Sequence, residues 1–132
     1  MKPKTHLAAD PRFCGTPEAL SDGTARVVLE TTDSMIVDAQ GLVHGGFVFG
    51  AADYAAMLAV NDPNVVLGAA ETRFLKPVRR GDRLVASAHT VVSQGRKREV
   101  RVEATVNSVK VFEGTFTCFV LEQHVLDGVG SK

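Results

Sequence analysis

Asp53 is the one carboxylate in the run HGGFVFGAADYAAMLAVN, residues 44–61, whose other members are mostly small or apolar. A carboxylate in such surroundings is costly unless it is hydrogen-bonded, charge-paired or turned toward a wet pocket. In a wet pocket it can take a proton from water or attack a carbonyl directly. The plainer readings are a carboxylate tied to a neighbour by a hydrogen bond, or one exposed at a seam between subunits. Composition does not separate these. Nine residues earlier stands His44-Gly45-Gly46. If the glycines open a helix, its first backbone N–H groups lack intrahelical acceptors and lie at the positive end of the dipole. Without a Cβ, a glycine lets a carbonyl oxygen approach those amides, which makes an oxyanion site. The alternative is an ordinary turn using glycine for conformational relief, with His44 as a structural hydrogen-bonder.

Little else in the chain competes as chemistry. His6 lies in the N-terminal segment, His124 near the C-terminus, and His89 inside an alternating run without a nucleophile at an interpretable distance, so no triad can be drawn. Cys14 and Cys118 are far apart, with no CxxC, and read as free thiols and not as a zinc site or a disulfide. The glycine spacing fits neither a phosphate loop nor a dinucleotide fingerprint, so no metal and no cofactor is expected. Basic residues gather at Arg73, Lys76, Arg79, Arg80 and Arg83, and again at Arg96, Lys97 and Arg98. Such groups can hold phosphates, or simply solvate hairpin edges. Lys plus Arg and Asp plus Glu are 15 each, so the formal charge is zero and no nucleic-acid partner is expected. There is no apolar run of membrane-spanning length and no signal-peptide pattern, so no membrane association is expected and the default compartment is the cytoplasm.

The elements that must position Asp53 follow from periodicity. At 132 residues the chain is sized for one domain. Residues 1–23 carry Asp10-Pro11, Thr16-Pro17 and Asp22-Gly23 and read as an arm or short helix. Thr24 to Glu30 alternates as a strand, with Met35 to Val37 as an extension. The run 44–61 reads as the one good helix, closed by Asn61-Asp62-Pro63. Four alternating strands follow, Val65 to Leu75, Arg83 to Ser93, Arg98 to Asn107 and Lys110 to Glu122, with connections short enough for a meander. A helix apolar nearly all round must be buried, so the sheet has to curl over it. The expected fold is α+β: one long central helix wrapped by a curved antiparallel sheet of about five strands over residues 24–122, with 123–132 as a tail. Such a sheet leaves an open edge, which a second copy would cover.

The runs GLVHGGFVFGAADYAAMLAV and RFLKPVRRGDRLVASAHTV resemble the hotdog-fold acyl-CoA thioesterases, particularly the phenylacetate-pathway type, over about Val27 to Val120. The resemblance implies that Asp53 is the catalytic carboxylate, that Gly45 and Gly46 polarise the thioester, and that His44 shapes their loop. It also implies a homodimer or tetramer with the site at the interface. Arg79, Arg80, Arg96 and Lys97 would meet the nucleotide of coenzyme A, which is part of the substrate. Two positions depart from the pattern: Asp38 stands where many relatives have Asn, and Leu67 where some have Ser or Thr. A second carboxylate at Asp38 would raise the pKa of Asp53 or serve a different substrate. The enzymatic reading expects Asp53 within reach of a carbonyl held at the leading end of its helix. The alternative is a non-catalytic acyl-CoA or acyl-carrier sensor of hotdog type, a class that usually lacks His-Gly-Gly with the aspartate. A hotdog hydratase ranks last, because its Asp-x4-His arrangement is absent.

Overall fold

The computed structural model describes residues 1–129; of the expected tail, 130–132 lie outside the described residues. In chain order the elements are α1 (Pro11–Cys14), β1 (Thr16–Ser21), β2 (Thr24–Glu30), a 3-10 turn (Asp33–Met35), α2 (Gly45–Val60), β3 (Val65–Phe74), β4 (Arg83–Gln94), β5 (Lys97–Val106), β6 (Val109–Val120) and α3 (Val125–Val129). The strands form one antiparallel six-stranded sheet in the order β1-β2-β4-β5-β6-β3. The expectation of one helix under a curved sheet holds, with six strands in place of about five.

The added strand, β1, lies within the segment read as an arm. Pro17 is tolerated there because an edge strand need not donate every N–H. Ser21 pairs with Thr24, so Asp22-Gly23 is a two-residue hairpin loop with Gly23 at φ 79°. A second difference is topological. β3 does not neighbour β4 but crosses to the far edge and pairs with β6, so only β4, β5 and β6 form a meander. The 75–82 connection therefore spans one end of the sheet. It is pinned by Thr31, whose hydroxyl donates toward the carbonyls of Arg79 (3.0 Å) and Asp82 (2.7 Å). Residues 35–37 form the end of the 3-10 turn and a single bridge, Ile36 with Val43, and do not extend β2.

Strand alternation puts Ala25, Val27 and Leu29, then Leu84, Ala86 and Ala88, then Val100, Val102 and Ala104, on the face that buries α2. Alanines on both sides, Ala51, Ala52, Ala55 and Ala59 on the helix among them, bring helix and sheet close together. The arm is a strap on α2. Phe47, Tyr54 and Asn61, seven residues apart, share one helix stripe. Phe13 lies on Phe47 (ring centroids 6.0 Å) and His6 beside Tyr54 (6.4 Å). Asn61 accepts the Lys4 N–H (2.7 Å) and donates to the Lys2 carbonyl (3.0 Å). No described helix is long and apolar enough to cross a membrane.

Candidate active site

α2 starts where a sandwich of hydrogen bonds delivers it. The Val43 N–H reaches the Val78 carbonyl and the His44 N–H the Met35 carbonyl, both at 2.8 Å, so the entry loop is held between the 3-10 turn and the 75–82 connection. His44 is extended (φ −61°, ψ 128°) and caps the helix with backbone only. Its ring lies over Gly46, where a Cβ would stand 3.0 Å from Nε2, and a Cβ on Gly45 would meet the Phe74 ring at 3.2 Å. Side chains are therefore crowded at the two positions whose amides, as the first of the helix, have no intrahelical acceptor.

Gly46, Gly50 and Asp53 recur at i, i+4 and i+7 and share one stripe of α2. Gly46 is exposed, no atom lies within 4 Å of a Cβ built on Gly50, and Asp53 is half-buried. The helix surface is thus open at Gly46 and beside Gly50, with the carboxylate one turn further along the same stripe. Asp53 Oδ1 is buried without any hydrogen-bond partner. Burial pushes the carboxyl above the ordinary range, partly opposed by the charge of His6. Asp38 of the same chain is not among the causes. Asp38 Oδ1 accepts the N–H groups of Gln40 (3.0 Å) and Leu42 (3.1 Å), so this exposed carboxylate holds the entry loop.

Leu67 pairs with Cys118 across β3 and β6 and so faces the helix with it. Cys118 is fully buried, its thiol pushed up to about 12 by burial and the nearby Asp53. The wall beside the carboxylate is therefore apolar and offers no hydroxyl donor where some relatives have one.

The eight residues from Gly45 to Asp53 span ~12 Å of helix. A carboxylate cannot cross that to a carbonyl held at the start of its own helix. The amides and the carboxylate of one chain thus stand about two turns of helix apart.

The basic clusters separate. Arg79 and Arg80 flank the entry loop through the Leu42–Arg79 bridge and the Arg80 N–H on the Gly41 carbonyl (2.9 Å). Arg80 also pairs with Asp33 (3.3 Å). Arg96 and Lys97 lie at the other end of β4, twelve residues away, and pair with Glu122 and Glu99. One phosphate group cannot engage both sets of a single chain. His6, read in the sequence as part of the arm, is laid beside Tyr54 by the strap. Among the described residues no three of His, Cys, Asp and Glu converge to hold a metal ion.

A curved six-stranded sheet around one glycine-entered helix is the hotdog architecture. The chain belongs to the thioesterase superfamily, whose family model matches residues 40–113, more than half its length. A crystal structure of an uncharacterized protein from Pyrococcus horikoshii is 53% identical, covers 96% of this chain and 98% of that one, and superposes with a TM-score of 0.95. A mutant of the phenylacetic acid degradation protein PaaI from Thermus thermophilus is 30% identical over 83% of this chain and 95% of that one, with a TM-score of 0.76. Among sequence relatives, a methylthioribose-1-phosphate isomerase from Aquifex aeolicus is 48% identical over 90% of this chain, which spans only 26% of that protein. The transcription factor FapR from Caldanaerobacter subterraneus is 31% identical over 75% of this chain and 50% of its own length. The chain thus spans half or less of these two relatives.

Proposed function

We propose that this chain is an acyl-CoA thioesterase acting on small, aryl or medium-chain thioesters as a homodimer. Two copies pair through the β3 edge and lay their α2 grooves against each other, bringing Asp53 of one to the helix entrance of the other. The thioester carbonyl accepts hydrogen bonds from the Gly45 and Gly46 amides at that entrance. Asp53 takes a proton from the attacking water, or attacks the carbonyl itself. The tetrahedral oxyanion is held by the amides until the C–S bond breaks and coenzyme A leaves as thiolate, which then takes up a proton. Arg79 and Arg80, beside the entrance, face the nucleotide phosphates, and coenzyme A enters as part of the substrate. The observation that carries this reading is Asp53 Oδ1: a structural aspartate would have its buried oxygen tied down, and this one has no partner.

A second reading, a non-catalytic sensor of acyl-CoA or acyl-carrier thioesters, is favoured by the likeness to FapR. Thiol release from aromatic, short-chain and long-chain acyl-CoAs separates the two. Asp53→Asn is expected to lower release by at least ~100-fold, the low end for loss of a general base, and to leave the dimer intact. Wild-type rates in this variant would remove Asp53 from catalysis. Tight binding of acyl-CoA with no thiol release by the unaltered protein would establish the sensor.

A further inference from the structure

Three stretches of chain meet near the C-terminal end of α2: the strap at Thr5 and His6, the connection into β3 at residues 63–66, and the segment after β6 at His124 and Val125. Together they line a cleft of about 270 Å³. Its polar groups are donors held in place. The Leu126 N–H donates to His124 Nδ1 (3.0 Å), so that nitrogen is an acceptor and the proton of the neutral ring sits on Nε2. The Thr5 hydroxyl lies 2.8 Å from His6 Nδ1, which leaves Nε2 as the ring nitrogen free for a ligand. Thr5 is only 5% exposed although polar, and His6 takes a left-handed φ of 55°, a conformation that non-glycine residues hold only when their surroundings enforce it. At Asn64 the backbone is fully used, its N–H donating to Asp62 Oδ1 (2.8 Å) and its carbonyl accepting the Leu121 N–H (3.2 Å). The Asn64 side-chain amide has no partner among the described residues, and no carboxylate is among the described residues that line the cleft.

From this arrangement we infer that the cleft binds a terminal phosphate group, with His6 and His124 donating through Nε2 and Asn64 through its side-chain amide. A metal ion is the usual alternative for a pair of histidines, and it fits poorly. A metal takes the unprotonated Nε2 of a ring whose other nitrogen donates outward, and here Nδ1 of His124 accepts. Donors from three separate stretches of chain, with no carboxylate to repel an anion, match the several oxygens of a phosphate. The cleft lies at the Val65 end of β3, ~30 Å of strand from Phe74, so it is separate from the helix entrance of the same chain. The inference does not rest on the thioesterase reading. A free phosphate ion and the phosphate monoester of coenzyme A share this chemistry, and the test tells them apart.

The test is NMR of the histidine ring carbons at constant pH and ionic strength while inorganic phosphate, coenzyme A or dephospho-coenzyme A is added. The rings of His6 and His124 are expected to shift together and saturate, while the exposed His89 stays unmoved. His124→Ala and Asn64→Ala are each expected to weaken binding about tenfold or more, the effect of losing a hydrogen bond to a charged group, with an unchanged far-UV CD spectrum. Saturation by inorganic phosphate alone identifies the free ion as the ligand, and saturation by coenzyme A well below the concentration needed with dephospho-coenzyme A identifies the monoester. The inference is overturned by an equal response to coenzyme A and dephospho-coenzyme A, by shifts that never saturate with any of the three, or by a folded His124→Ala that binds as the unaltered protein does.

Discussion

A carboxylate oxygen buried without a partner is paid for in stability, and Asp53 carries that cost in a measurable form. Its folded-state pKa is raised by burial, so the neutral carboxyl suits the fold better than the anion does. The favourable contribution is complete below the unfolded value of about 3.9 and is lost as pH rises through the raised folded value. Asp53→Asn, always neutral, is therefore expected to melt a few degrees higher than the unaltered protein at pH 7 to 8, with the gain vanishing near pH 3.5. Calorimetry across that range checks it. A gain that grew on acidification would mean that the anion is stabilised in the fold. This carboxylate was legible in the sequence because its surroundings are apolar within one helix. Asp38 was not: its role comes from two backbone amides that a turn folds back onto it. His6 was missed for the same kind of reason, since Tyr54 lies 48 positions along the chain and only the strap brings the two rings near.

At the scale of elements, α2 carries two stripes with different fates. The 47-54-61 stripe is covered by the strap, and the 46-50-53 stripe is open at Gly46 and beside Gly50 and half-buried at Asp53. Gly50→Leu separates a role inside the chain from one outside it. In an isolated chain leucine has room and gains ~0.8 kcal/mol of helix propensity over glycine. If a second α2 lies in the groove, the same side chain keeps the copies apart. The expected result is an unchanged far-UV CD spectrum with elution as a monomer and loss of hydrolysis. A dimer that persists with full activity would leave the groove empty in the working protein. The helix and five of the strands were legible because each shows its own period over seven or more residues. β1 was hidden by Pro17, although Asp22-Gly23 marked its hairpin. The crossing of β3 to the far edge was hidden too, because strand order depends on non-local pairing and leaves no trace in any one segment.

For the whole molecule the decisive quantity is the length of helix between the two halves of the chemistry. Because ~12 Å separates Gly45 from Asp53 along one axis, the proposed dimer draws the amides of each site from one copy and the carboxylate from the other. Two inactive variants should then restore each other. Gly46→Val places a branched side chain where even a Cβ meets His44 Nε2 at 3.0 Å, which forces the ring aside and covers the amides, while Asp53→Asn removes the carboxylate. A dimer made of one copy of each variant has one site with both defects and one with neither. After equal mixing and random exchange, half of the dimers are of this kind with one of two sites intact, so about a quarter of the original activity per chain should return. The measurement is thiol release before and after exchange, with each variant alone as the baseline. Activity that stays at baseline although mixed dimers are present would place the carboxylate and the amides of a working site in the same chain, against the spacing along α2.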